Sequence, residues 1–269
     1  MWHAKNTGYY NIGSTEANEN CIEIYNSLNA MNFSFTAVCA VIANIYRECS
    51  FNPWQWENWY GYSTRIVKNN NGNGTYYRNQ DGGYGLMQFT PWPPTPHPNT
   101  QPYVDSSVAQ QNIYYAPNFY DSPGSPTDGV SQLDFMQYQI FYQTNSEWFA
   151  QPVGGNQYNA YLTALANINV DYRRFYDMTK ADFRDGVNTQ SSIVYTKEDF
   201  IGAFATNYLR PRSTEVASHW NDMVTAYDYY YTYLSGVTPV PPLPPIPPVP
   251  PTPDRERHMP VWMMIDYDY

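Results

Sequence analysis

Glu48 lies near the end of a strongly apolar stretch, in a position suited to acid catalysis. Residues 35–49 carry apolar side chains at spacings of three and four, which predicts a helix that must end before Pro53. A carboxylate in the last turn faces the partial negative charge of the helix C-terminus. The aromatic residues that follow would shield it from water: Phe51, Trp54 and Trp56. Because both effects raise a carboxyl pKa, we predict that Glu48 is a general acid.

A second conspicuous segment is G-G-Y-G-L-M-Q-F-T-P-W at residues 82–92. Together with E-C-S-F-N-P at 48–53, it resembles the lysozyme superfamily, most closely goose-type lysozymes, lytic transglycosylases and bacteriophage tail lysozymes. In those families a helix-terminal glutamate is the catalytic acid, and the G-x-G-L-x-Q segment is a strand that lines the sugar cleft. The segment F-A-T-N-Y-L-R-P-R at 204–212 is similar to the N-Y-E-R-P segment of phage tail lysozymes, with Leu209 in place of the acidic residue. The resemblance covers about residues 12–233.

The resemblance implies an enzyme that cuts the β-1,4 bond between N-acetylmuramic acid and N-acetylglucosamine in peptidoglycan. Gln88 would then hydrogen-bond the N-acetyl group or the ring substituents. The other residues expected to line the sugar subsites are Tyr84, Met87, Trp92 and Tyr208. Each of these four is equally consistent with a packing role in the core.

Cleavage of a glycosidic bond also requires stabilisation of an oxocarbenium-like centre from the opposite face of the sugar. Animal-type lysozymes carry a carboxylate immediately before their Y-G-x-L-Q strand. The present chain has Gly83 at that position. Asp81 is the best local substitute, although an aspartate in a turn before glycine has the same pattern. Glu57 is a weaker alternative. Inverting hydrolysis, retaining hydrolysis and transglycosylation to an anhydro sugar therefore all stay open.

Composition and net charge argue against some functional classes for this chain. The chain has 269 residues, 42% of them hydrophobic, which is enough to bury one substantial core. A net charge of −10 argues against nucleic-acid binding, which needs clustered lysine and arginine. Apolar runs are too short for a membrane span, and residues 1–13 lack the apolar region of a secretory signal. We therefore expect neither a nucleic-acid partner nor a membrane span.

No cofactor or metal is expected. The four histidines are isolated in the sequence, without the spacings of a zinc site. The asparagine-rich segment 69–80 is spaced like a calcium-binding loop but lacks its carboxylates. The three cysteines fall on predicted helix core faces and are expected to be buried thiols: Cys21, Cys39 and Cys49.

The elements predicted around Glu48 are mostly helices, so the fold class is α+β, mostly α. Ser14 and Ser34 are predicted N-caps of an αα-hairpin. Further helices are predicted from a capping box at Ser131–Asp134, over 157–168, from a second capping box at Thr196–Asp199, and over 213–235 up to Gly236. Asn-Gly pairs within 69–74 predict a β-turn, and the resemblance implies a small β-hairpin lobe there.

Three domains follow from this pattern. Residues 1–236 are the lysozyme-like muralytic domain, 237–253 a polyproline II linker and 254–269 a docking peptide. The linker repeats P-P-x from Pro241, so that its apolar side chains align along one side of a polyproline II helix. It is either a spacer or a strut that lies in a groove of a partner. Residues 261–265 form a hydrophobic run expected to dock on other phage tail proteins.

The leading functional interpretation is a peptidoglycan-degrading lysozyme of a phage tail tip or tail knob, made in the host cytoplasm and carried in the virion. It would open the cell wall during genome entry. The alternative is a structural tail-tip protein that uses an inactive lysozyme fold as a plug or sugar-binding cap, since no second carboxylate is obvious. A chitinase-like hydrolase of the same superfamily is a third possibility.

Overall fold

The computed structural model describes residues 2–3, 10–53, 67–68, 75–76, 82–92, 128–142, 146–187 and 194–238. Within these ranges the fold is mostly helical, as predicted. Its helices are α1 (Thr15–Ala30), α2 (Phe35–Cys49), α3 (Asp128–Gln137), α4 (Asn156–Ala166), α5 (Lys180–Asp185), α6 (Lys197–Ala203), α7 (Ser213–Ser218) and α8 (Trp220–Ser235). A π-helical turn continues α3 through Tyr138–Tyr142 and another continues α6 through Phe204–Leu209, while Tyr172–Arg174 form a 3₁₀ turn. No helix in these ranges is both long and apolar enough to cross a membrane.

The predicted αα-hairpin is confirmed. The Ser14 hydroxyl accepts a hydrogen bond from the Ala17 amide, and the Ser34 hydroxyl accepts one from the Ala37 amide, both at 3.3 Å. These contacts satisfy amide groups that the first turn of a helix leaves without an intrahelical partner. They fix where α1 and α2 begin, and the end of α2 at Cys49 precedes Pro53 as expected.

Helix α2 lies at the centre of the fold. Every residue from Ala37 to Ile45 is buried, because α1, α5, α6 and α8 all pack against this helix. Most of the predicted apolar stripe of α2 is buried, and burial extends beyond this stripe because apolar and small residues face neighbours on nearly every side. The side-chain amide of Asn44, also buried, donates to the carbonyl oxygen of Ile201 at 3.2 Å and so links α2 to α6. Glu48 thus lies at the end of the most enclosed helix.

Two helix boundaries differ from the sequence prediction. Helix α3 begins at Asp128, so Ser131 lies inside it and does not cap it. The predicted final helix is two helices, because α7 ends at Ser218 and α8 begins at Trp220. The capping box at Thr196 and Asp199 is confirmed, with both of its reciprocal hydrogen bonds present.

Among the residues that the structure describes, four short strands form two antiparallel pairs. Strand β1 (Val67–Lys68) pairs with β2 (Thr75–Tyr76), and β3 (Gly82–Tyr84) pairs with β4 (Phe89–Trp92). In the second pair Tyr84 lies opposite Phe89 and Gly82 opposite Trp92. Ladders of two residue pairs do not establish a separate lobe, and the Asn-Gly segment lies outside the described residues. The β-hairpin lobe and the polyproline linker, which also lies outside, stay predictions.

Buried tyrosines make up a large part of the core. Burial raises the pKa of Tyr10, Tyr161 and Tyr195 to about 12 in each case. The hydroxyl of Tyr161 donates to the carbonyl oxygen of Pro211 at 2.5 Å, which joins α4 to the segment before α7. These phenols are neutral in the folded protein at any ordinary pH.

We expect the protein to lose stability as the pH rises from about 10 to about 12. In the unfolded chain tyrosine ionises near pH 10, whereas the folded state holds the pKa of these phenols higher. Their contribution to the free energy of unfolding is therefore complete below pH 10 and is lost as the pH rises through about 12. Melting temperatures and phenolate absorbance measured across this range test the expectation. An unchanged melting temperature up to pH 12 would contradict it.

Candidate active site

Glu48 occupies the place that its sequence context predicts. It is the penultimate residue of α2 and is half-buried. Immediately after Cys49 the chain reverses direction, because Ser50 and Phe51 both adopt left-handed backbone conformations with φ of 49° and 63°. Non-glycine residues pay a conformational cost in this region and keep it only where the surroundings hold them.

The reversal after α2 is held by Phe51 and by a buried asparagine of α1. The ring of Phe51 packs against Tyr46 and Tyr230, with centroids 5.5 and 5.0 Å away. The side-chain amide of Asn20 donates to the carbonyl oxygens of Phe51 and His3, at 2.8 and 2.7 Å. Because Asn20 is fully buried, these bonds fix the backbone that follows Glu48 against the core.

The G-L-M-Q residues form the turn between β3 and β4. Gly85 has a φ of +78° and Gln88 a φ of +49°, and both the backbone amide and the side-chain amide of Gln88 donate to the Gly85 carbonyl oxygen, at 3.2 and 2.9 Å. The expectation that the G-x-G-L-x-Q segment is a strand therefore holds only for its first two residues, which lie in β3. Its last four residues form a turn, and positive φ at both ends of this turn reverses the chain.

This turn lies directly against the end of α2. The thiol of Cys49 lies 3.6 Å from the carbonyl oxygen of Leu86. Gln132 of α3 bridges the two segments: its side-chain oxygen accepts from the Leu86 amide at 2.6 Å, and its side-chain nitrogen donates to the Pro53 carbonyl oxygen at 2.8 Å. Segments 48–53 and 85–88, which the sequence resemblance pairs, are thus adjacent in space.

Cys49 is not a nucleophile in this arrangement. Burial, and secondly the neighbouring Glu48 carboxylate, raise the pKa of the Cys49 thiol well above its usual range. A thiol that keeps its proton is unreactive. Cys49 instead fills the space between α2 and the β3–β4 turn, beside the glutamate.

The remaining predicted site residues fall into two groups. Met87 is buried, and so is Tyr208, whose ring packs against Phe204 and whose hydroxyl donates to Gln139 at 2.8 Å. Tyr84 and Trp92 end β3 and β4, but their side chains lie outside the described part of the structure, and Asp81, Glu57, Trp54 and Trp56 lie outside it altogether. Contacts of these residues with sugar stay predictions.

Sequence reasoning missed Asn20 and Gln132, which position the site without being able to do its chemistry. Both are polar residues that fall on predicted apolar stripes. Asn20 lies three residues after Ala17 and four before Ile24, and Gln132 lies four residues before Met136. A buried amide on such a stripe must find hydrogen-bond partners, and that requirement is the signal that could have identified both.

Replacing Gln132 with leucine is expected to lower the free energy of unfolding by about 2–4 kcal/mol, since it leaves the buried Leu86 amide and Pro53 carbonyl without partners. Wall-degrading activity should fall with it, because the β3–β4 turn would no longer be held at α2. The matched control is Gln137→Leu on the same helix, a half-exposed position. Chemical denaturation of both variants measures the difference, and equal unfolding free energies would contradict the bridging role.

Metal ligation finds no support among the described residues, where no three His, Cys, Asp or Glu side chains lie close enough to hold an ion.

Burial raises the pKa of Asp134, a further carboxyl group on α3. It lies two residues after Gln132, about 200° around the helix, so it faces away from the β3–β4 turn.

Two comparisons with known proteins bear on the family of this chain. A search among curated proteins found no match. A family model described as phage tail lysozyme matches residues 19–230, which include most of α1, all of α2, the β3–β4 turn and most of α8. This match covers well over half of the chain and supports, in general terms, a lysozyme-like role in peptidoglycan degradation by a virion-associated protein. The chain belongs to the phage tail lysozyme family.

Proposed function

We propose that this protein cleaves the β-1,4 bond between N-acetylmuramic acid and N-acetylglucosamine, with Glu48 as the proton donor. The observation that supports the proposal best is the position of Glu48 in the last turn of α2, against which the G-L-M-Q turn is held by Cys49 and Gln132. In a chain of the phage tail lysozyme family, this is the glutamate that the sequence resemblance assigns to acid catalysis.

In the proposed reaction the Glu48 carboxyl transfers its proton to the glycosidic oxygen as the bond from that oxygen to the anomeric carbon breaks. The oxocarbenium-like centre is then attacked either by water, giving hydrolysis, or by a hydroxyl of the same sugar, giving an anhydro product, and the attacking oxygen passes its proton to a carboxylate. Asp81 is the proposed second carboxylate, and Gln88 is proposed to orient the sugar. Tyr84, Met87, Trp92 and Tyr208 are the proposed lining residues.

The proposed setting is the tail tip of a phage particle, where the enzyme opens the cell wall during genome entry. Family membership supports a phage tail context. Residues 254–269 are proposed to attach the protein to other tail proteins, because their hydrophobic run is too short to form a core of its own.

Product analysis tests the proposed activity. Purified peptidoglycan is incubated with the protein, and the released fragments are identified by mass spectrometry. Fragments ending in a reducing N-acetylmuramic acid indicate hydrolysis, and anhydro ends indicate transglycosylation; either supports a glycosidase. Absence of release by the folded wild-type protein would refute the enzyme and favour the alternative, a structural tail protein that keeps the fold as a plug or sugar-binding cap.

A further inference from the structure

Helix α8 carries a pair of stacked tyrosines along one partly exposed edge. Tyr229 and Tyr233 are one turn apart, with ring centroids separated by 6.3 Å and ring planes inclined by only 12°. Tyr229 is 38% exposed, and its hydroxyl lies over Gly13, where a Cβ atom would be 2.8 Å away. The two rings therefore lie in series along one edge of α8, beside the segment that precedes α1.

A cavity continues this edge toward the start of α8. It has a volume of about 420 Å³ and is lined by residues that include Ile12, Tyr46, Arg47 and Thr225. Thr225 lies one turn before Tyr229, and Ile12 is the neighbour of Gly13 in the chain. We call the Tyr229–Tyr233 edge together with this cavity the α8 groove.

The α8 groove offers a hydrogen-bond donor that lacks an acceptor. The Nε atom of Arg47 is buried and has no hydrogen-bond partner within the described residues. Because a buried donor left unpaired costs free energy, rotation of the Arg47 side chain toward a ligand that brings acceptors would be favoured. Tyrosine edges likewise bind ligands that combine apolar surface with acceptors, because each ring has an apolar face and a hydroxyl tip.

The chain that follows α8 has the complementary chemistry. Helix α8 ends at Ser235, and from Pro241 the sequence reads P-P-L-P-P-I-P-P-V-P-P-T-P. Proline has no N–H group, so such a segment presents backbone acceptors and almost no donors. In the polyproline II conformation it also presents one apolar side chain in every three residues, on a single side. Aromatic-lined grooves are the usual binding sites for this conformation.

The dimensions agree as well. From Tyr233 back to Thr225 is about 12 Å along α8, and thirteen residues of polyproline II extend about 40 Å. The segment is therefore long enough to turn back after α8 and cover the whole groove.

We propose that residues 241–253 bind in the α8 groove of their own chain, running antiparallel to α8 with prolines against Tyr229 and Tyr233. The same chain is favoured over a separate partner because the segment begins within six residues of the end of α8, and a short tether gives an effective concentration in the millimolar range. Docking would make the segment a fixed arm that sets the direction of residues 254–269 relative to the helical domain. The proposal does not depend on the enzymatic activity.

Distance measurement in the full chain tests the proposal. Spin labels are attached to cysteines introduced at Asn221, an exposed residue of α8, and at Thr252; the three native cysteines are buried and should not react. Double electron–electron resonance is expected to give one narrow distance distribution. Tyr229→Ala/Tyr233→Ala should broaden it at least twofold. The matched control, Tyr231→Ala, changes a tyrosine that is 43% exposed and packs against Phe35 instead, and it should leave the width unchanged.

A second variant leaves the helical domain untouched. Replacing Leu243, Ile246 and Val249 with serine keeps the prolines but removes the apolar stripe, and it should broaden the distribution as well. Equal widths in the wild type and in both the groove and the stripe variants would overturn the proposal and leave the segment a spacer. A narrow distribution that disappears on dilution with unlabelled protein would overturn it too, because the occupant would then belong to a second copy.

Discussion

Glu48→Gln is expected to reduce the rate of peptidoglycan cleavage by about 10²–10⁴-fold, the usual contribution of a positioned general acid. Glutamine keeps the size of the side chain and its place in the last turn of α2, but its amide has no acidic proton to transfer to a leaving oxygen. The melting temperature of the variant is measured alongside that of the wild type, so that loss of the acidic proton can be separated from loss of structure. Release of soluble fragments from purified cell walls measures the effect.

The control is Glu16→Gln, which removes a glutamate charge from the exposed first turn of α1. Its activity should match that of the wild type, because it alters net charge by the same amount far along the chain from the proposed site. If Glu48→Gln clears cell walls at the same rate as Glu16→Gln, Glu48 is not the proton donor.

Gly85→Ala is expected to lower the free energy of unfolding by about 2–4 kcal/mol and to abolish most of the activity. Gly85 has a φ of +78°, which costs an alanine about 1 kcal/mol, and a Cβ atom there would lie 2.2 Å from the side-chain oxygen of Gln132. Gln132 would have to move, and its bonds to Leu86 and Pro53 would be lost. Overpacking of this kind typically costs a further 1–3 kcal/mol.

Gly154 provides a closely matched control for Gly85. It has the same φ of +78°, but a Cβ atom there would meet nothing within 4 Å. Gly154→Ala should therefore show only the conformational cost and keep full activity. Thermal or chemical unfolding of the two variants separates the conformational cost of a positive φ from the cost of the steric clash with Gln132. Equal losses of stability would mean that Gln132 yields easily and does not hold the turn.

Local sequence signals identify a helix when it has a side-chain N-cap and a stripe of apolar residues at helical spacing. The side-chain hydroxyls of Ser14, Ser34 and Thr196 each accept a hydrogen bond from a backbone amide in the first turn of the helix, and the polar residue type at each position predicts this. The buried positions of α8 were also predictable, because Trp220, Met223 and Leu234 recur at helical spacing.

The sequence-based predictions fail where tertiary contacts, and not the local sequence, determine the structure. Ser131 and Asp134 have the spacing of a capping box, yet the same letters occur inside α3, and only the packed structure shows that the helix starts at Asp128. Helix α2 appears amphipathic in sequence because its alanines and an asparagine are only weak indicators of burial. In the structure these small residues are buried and allow four helices to approach α2. The G-L-M-Q turn depends on positive φ at a glutamine, which residue type does not predict.

At the candidate site, the sequence predicted Glu48 and its partner segment but not what joins them. That prediction relied on a recognisable pairing of segments, and the adjacency of Cys49 and Leu86 agrees with it. The bridging amides of Asn20 and Gln132 come from α1 and α3, distant in sequence, and no local pattern connects either residue with the end of α2.

The most direct test of Glu48 as proton donor is the pH dependence of kcat/KM for a defined peptidoglycan fragment, measured for the wild type and for Glu48→Gln. If Glu48 supplies the proton, the wild-type rate falls at alkaline pH as the carboxyl ionises, and the residual rate of the variant lacks that limb of the profile. A variant profile with the same alkaline limb as the wild type would assign the proton to another group and contradict the proposed mechanism.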